Sequence, residues 1–144
     1  MAGETVVEDL AAWLTQIWDE EERLARDAAS AEYPGPEWIL SEDDVVGAAH
    51  GDYVACGPYE GDIGEEIGSF IAANDPASVL ARIAADRKIL AACLESMNNI
   101  YRPDNSDYAD WDLAVEIAKT LASPYADREG FRSEWSVERQ GVEW

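Results

Sequence analysis

The sequence predicts an α+β fold that is mostly helical, with a small three-stranded antiparallel meander. Three observations lead there. Apolar residues recur at helical spacing over 5–30, 76–98 and 107–122. Three short apolar runs, 37–40, 44–49 and 52–56, stand close together between polar breaks. Proline and glycine interrupt the chain at 32–36, 57–64, 74–76 and 123–124, between those segments. At 144 residues the chain has the length of a single domain, 1–144.

The first helix is predicted over 5–30. Thr5 and Glu8 have the spacing of a capping box, in which each side chain satisfies a free backbone N–H of the other. Val6, Leu10, Trp13, Leu14, Ile17, Trp18, Leu24 and Ala28 then form an apolar stripe, so Trp13, Ile17 and Leu24 are expected to be buried together. The stretch EYPGP at 32–36 stops the helix, because proline cannot continue the hydrogen-bond ladder. The meander follows over 37–56. Its last two strands are joined by His50-Gly51, a two-residue connection that suits a tight hairpin.

The remainder reads as helix. A short one is predicted over 65–73. Asp75 then caps the next, with Pro76 at its first position, where proline's missing N–H costs nothing. That helix runs over 76–98 with Val79, Leu80, Ile83, Leu90, Cys93, Leu94 and Met97 inward. A last helix covers 107–122 with Trp111, Val115, Ala118 and Leu121 inward, and an aromatic tail, 125–144, is expected to dock in part.

Charge is the outlying property. The chain holds 31 acidic and 10 basic side chains, a formal net charge of −21. Residues 1–66 hold 18 acids and two bases, and residues 67–144 hold 13 and eight, so the balance is −16 against −5. Such charge repels phosphate, which argues against direct nucleic-acid binding, and it steers cationic partners toward the N-terminal half. No uncharged run approaches the roughly 18 residues that a bilayer span needs. The N-terminus lacks the basic and apolar regions of a signal peptide, and two cysteines make no disulfide framework. A cytoplasmic protein without membrane contact is expected.

Catalytic signatures are absent. The sole histidine, His50, sits at the presumed hairpin turn, and no serine occupies a nucleophile elbow. GDIGEEIG at 61–68 has spaced glycines but lacks the lysine of a phosphate loop. Cys56 and Cys93 have no partner ligands at zinc spacing. DNSDYADWD at 104–112 resembles a calcium loop, but Ala109 stands where the turn glycine belongs and Val115 where the bidentate glutamate belongs. Aspartates suited to a helix N-terminus account for it better. No catalytic residue, cofactor site or metal ligand is therefore assigned.

The run Asp19–Glu22 poses a sharper question. Four successive helical residues sweep about 300°, so they cannot share one face. Glu21 falls at the edge of the apolar stripe, and Asp19, Glu20 and Glu22 face water. Solubility needs a net charge of only a few units, both signs mixed. Two readings of the excess stand side by side: general acidity of the proteome, or a binding surface for a basic partner, with Asp19, Glu20, Glu22, Glu42, Asp43 and Asp44 as its candidate residues.

Three stretches carry a resemblance: DEEERLARDAA at 19–29, FIAANDPASVLARIAADRKIL at 70–90 and LASPYADREGFRSEW at 121–135. Together they resemble a family of small actinobacterial and actinophage proteins classed only as a domain of unknown function, over most of the chain. Where the family has His-Pro after the aspartate of the third stretch, this chain has Arg128-Glu129. Many relatives carry a Cys/His-rich insert before that stretch that looks like a zinc site. Residues 91–112 here hold one cysteine and no histidine, a departure that weakens any metal claim carried over from the family, and the resemblance implies no known enzyme activity.

The expected function is that of a non-enzymatic acidic interaction protein, phage-encoded, that binds a basic surface of a host nucleic-acid-binding or defence protein by nucleic-acid mimicry. The alternatives are a small enzyme or metal-binding protein of unknown reaction, and a structural or dimerising accessory.

Overall fold

A computed structural model describes residues 2–31, 35–42, 46–48, 53–57, 61–99 and 107–137. In chain order its elements are α1 (Ala2–Ser30), β1 (Trp38–Leu40), β2 (Val46–Ala48), β3 (Tyr53–Ala55), α2 (Glu65–Ala73), α3 (Pro76–Asn99) and α4 (Asp107–Ala122). Two 3-10 turns follow, Ser123–Tyr125 and Ser133–Trp135. The predicted α+β class, the helix spans over 65–73 and 107–122 and the three antiparallel strands are all present. The His50-Gly51 connection lies outside the described residues. The chain divides into two compact units: Trp18–Ala84 is one, and the residues up to Ile17 together with those from Ala85 onward are the other.

In the unit Trp18–Ala84 the strands lie in the order β1-β2-β3. β1 pairs with β2 through Trp38↔Ala48, Ile39↔Gly47 and Leu40↔Val46. Between Val46 and Gly47 the pairing on β3 steps from Ala55 to Tyr53, one extra residue that locally bends the strand. α2 packs on β1 and β2. Gly68 is what lets it approach: a Cβ there would overlap the Leu40 Cδ1 and lie 3.1 Å from the Ile63 Cγ2. Trp18, Val46 and Ile83 are buried in this unit.

Asp75 joins two elements of the same unit. Its Oδ1 accepts the Ser78 N–H at 2.8 Å, which caps α3, and its Oδ2 accepts the Trp38 N–H at 3.1 Å, which holds the start of β1. The Ala77 N–H adds a bond to the Pro36 carbonyl at 3.0 Å. The predicted cap with Pro76 at the first helical position is therefore present, and it does more than close a helix end.

The other unit is built from the first half of α1, the second half of α3, α4 and the segment after it. Val7, Cys93, Met97 and Ala114 form a core cluster, with Leu94, Trp111, Val115 and Ile117 packed against it. Ala114, Ala118 and Ala122 recur every fourth residue and give α4 a buried line of small side chains. After α4, Phe131 and Trp135 close on Trp13, with ring centroids 5.6 and 5.4 Å from it and 5.8 Å from each other. The Trp13 Nε1 donates to the Glu129 carbonyl at 3.0 Å. Arg132 pairs with Asp9 at 2.8 Å and lies over the Trp135 ring at 5.2 Å. Gly130 takes φ +86°, and a Cβ there would come 2.9 Å from the Trp13 Nε1. The tail thus docks through Trp135, as expected, up to residue 137; residues 138–144 lie outside the described residues.

Two expectations about α1 need correction. The helix begins at Ala2, so Thr5 and Glu8 lie within it and are not its start. Its buried line is Val7, Leu10, Ala11, Leu14, Trp18 and Ala25, and Leu24 is 55% exposed. Leu24 is turned about 120° from Trp18 around the axis, at about 100° per residue. Small alanines complete the stripe where the larger leucine was expected, and Trp13 and Ile17 are half-buried.

Candidate functional site

The acidic run of α1 lies in the unit Trp18–Ala84. Residues 19–27 hold five carboxylates together with Arg23 and Arg26, the two bases of residues 1–66. Both arginines turn back onto their own helix. Arg23 grips Glu20 with two bonds, 2.7 and 3.0 Å, and reaches Asp27 at 2.9 Å. Arg26 holds Glu22 at 2.6 and 2.9 Å. These are the three- and four-residue spacings that bring helical side chains together. The hydrogen bond from Arg23 holds the Glu20 carboxyl below its ordinary range, and Glu20 in turn raises the Arg23 guanidinium. All these groups are solvent-exposed or half-buried, so water screens the pairs and their effect on stability is small.

The candidate carboxylates therefore differ from one another. Asp19 and Glu20 are exposed on α1, and Glu22 is half-buried. Glu20 and Glu22 each carry an arginine. Glu42 is exposed at the turn after β1, and Asp43 and Asp44 lie outside the described residues. Glu37, Asp62, Glu65 and Glu66 are exposed in the same unit. Among the described residues, none of Glu37, Glu42, Asp62, Glu65 and Glu66 has an ion pair. Glu65 and Glu66 stand in the first turn of α2, where the helix dipole favours negative charge.

Sequence reasoning did not find the outward face of α2. The stretch EEIGSFIAA is apolar on almost every side, so periodicity alone does not choose which residues turn inward. Gly68 was the available signal. It marks the sheet-facing side, and Phe70 lies about 160° away around the helix axis. Ile67 is 58% and Phe70 72% exposed.

The remaining groups offer little chemistry. Among the described residues no group of three His, Cys, Asp or Glu side chains is arranged to hold a metal ion. His50 lies outside them. Cys93 is buried, which pushes its thiol up and keeps it from the nucleophilic thiolate form, and Cys56 is exposed. Asp107–Asp112 form the first turns of α4, not a calcium loop. Asp75 has a perturbed carboxyl, as catalytic groups do. Burial pushes it up, and the Ser78 and Trp38 N–H groups more than offset this and hold it low. Both of its oxygens accept backbone bonds, so its role is structural. No helix among the described residues is long and apolar enough to cross a membrane.

Comparison with known proteins places the chain in a family. It belongs to a family of unknown function, DUF6221, whose sequence profile matches residues 7–137. No curated protein and no solved structure matches it.

Proposed function

We propose that this member of the family is a non-enzymatic interaction protein whose acidic unit engages a basic surface of another protein, as a nucleic-acid mimic does. One observation supports this above others. Residues 18–84 hold 16 acids and three bases, a net −13, and two of those bases already serve Glu20, Glu22 and Asp27 on α1. The outlying carboxylates are left to act on whatever approaches. At about 0.15 M salt the Debye length is about 8 Å, so clustered charges act together while a lone one is largely screened. Complementary charge of this kind raises association rates and selects partners.

The finer reading is of a phage-encoded cytoplasmic inhibitor of a host nucleic-acid-binding or defence protein. It rests on the acidity and on the resemblance to actinophage proteins. Within the candidate set, Glu20 and Glu22 are expected to contribute least, because their arginines already neutralise them. Glu42, which has no ion pair among the described residues, is expected to contribute more.

The test is capture of basic proteins from an actinobacterial lysate at low and high salt. Wild type is compared with a folded variant in which Asp19, Glu20, Glu22, Glu42, Asp43 and Asp44 become Asn or Gln. A partner lost at high salt and lost in the variant supports the reading. Capture that is independent of salt and unchanged in the variant assigns these carboxylates to solubility.

A further inference from the structure

We propose that the outward face of α2 is the anchor of the docking surface, and that it takes a cationic amphipathic segment of another protein. This rests on the acidic-surface reading above and adds an apolar contact to it. Phe70 and Ile67 are 72% and 58% exposed and lie about 60° apart on one helix face. Scattered exposed aliphatic residues are ordinary, but an aromatic beside a branched aliphatic on a nine-residue helix is a patch.

The packing favours this orientation. Turning Phe70 inward would carry Gly68 away from β1 and bring a side chain to the place where even a Cβ would overlap the Leu40 Cδ1, so that the Leu40 side chain would have to move. Gly68 thus favours the face of α2 that points outward. Nor does solubility explain an outward phenylalanine in a chain of net charge −21.

Charge selects the occupant. Glu66 lies about 40° from Phe70 around the helix. Glu65 and Asp62 stand nearby in sequence, and none of the three has an ion pair among the described residues. A second copy would set these carboxylates against their equivalents. A neutral apolar partner would strip water from them and give nothing in return. Nucleic acid and anionic lipid are repelled. A segment with an apolar side chain between lysines or arginines satisfies both components, the ring as anchor and the carboxylates as a polar rim.

The test uses the full chain and two synthetic probes of equal charge, an amphipathic leucine–lysine helix and an oligolysine, titrated calorimetrically at about 0.15 M salt. The amphipathic probe is expected to bind more tightly than oligolysine. Phe70→Ser is expected to weaken the amphipathic probe about 30-fold, the scale of a binding hot spot, and to leave oligolysine unchanged. Leu113→Ser, at a position 59% exposed on α4, serves as the control and should alter neither. Glu65→Gln with Glu66→Gln should weaken both probes.

Equal effects of Phe70→Ser and Leu113→Ser would overturn the anchor while leaving salt-dependent oligolysine binding, and with it the charge reading, in place. Failure of wild type to bind either probe at any salt would remove both. A dimer that Phe70→Ser dissolves in sedimentation would give the face to a second copy and overturn the proposal.

Discussion

The two compact units differ in where they leave a phenylalanine ring. In the unit that carries the C-terminal segment, Trp13, Phe131 and Trp135 pack on one another, and the arginine beside them is spent on Asp9. In the unit Trp18–Ala84 the Phe70 ring stands in solvent, and among the described residues Glu37, Glu42, Asp62, Glu65 and Glu66 have no ion pair. The first arrangement holds a fold together. The second leaves a ring and carboxylates exposed on the outside. Residue counts alone would call both regions aromatic and acidic; what separates them is that one packs its rings on each other and the other leaves Phe70 outside.

Trp135→Ala should break the comparison most forcefully if it fails. Trp135 is 1% exposed, and deleting a buried aromatic costs about 3–5 kcal/mol. Phe70→Ala, at an exposed site, should fall within about 0.5 kcal/mol of wild type. Chemical denaturation of both variants checks this, and similar midpoints would mean that the two rings are not differently employed.

Asp75→Ala comes next. It removes a helix cap and an acceptor for the Trp38 N–H, a loss of about 1–3 kcal/mol. It also sharpens the contrast between a buried carboxylate and the exposed ones. The folded carboxyl of Asp75 is held low, so its contribution is present above the unfolded value of about 3.9 and disappears as pH falls toward the folded value. Denaturation followed from pH 7 downward should show that acid-side loss in wild type and a smaller one in the variant.

Gly130→Ala should cost about 1–3 kcal/mol, since the new Cβ meets both a positive φ and the Trp13 indole. A melting temperature equal to that of wild type would show that the clasp on Trp13 tolerates rearrangement.

Arg23→Gln has the smallest expected effect on folding: no resolvable change in melting temperature, because the pairs it breaks are in water. Its signature lies elsewhere. The Glu20 carboxyl should rise to the ordinary glutamate range in a carbon-detected NMR titration, and binding of a basic partner should gain speed at low salt. A large loss of stability would make the laced face of α1 a structural feature.

Much of this fold was legible because it is written locally. The Asp75-Pro76 pair marks a helix start through backbone chemistry confined to four residues, and α2 and α4 have the predicted bounds. The register of α1 was not legible, because Leu24 outweighs Ala25 in hydrophobicity while the helix turns on angle alone. The arginine pairs of α1 were open to the same spacing rule that defines the helix, since Glu20, Arg23 and Asp27 lie three and four residues apart. The clasp was beyond local reasoning: Trp13 meets a carbonyl 116 residues away. Of the candidate carboxylates, composition identified the excess but not which members were already neutralised.

The two-handed grip of Asp75 has a consequence for how the chain opens. The amides of Trp38 and Ser78 are 40 positions apart in sequence yet donate to the two oxygens of one carboxylate. A motion that withdraws the carboxylate from either amide disturbs its bond to the other. Hydrogen exchange at these two sites then reports a single opening event, with the leading edge of the sheet and the first turn of α3 leaving and rejoining the folded state as one cooperative element.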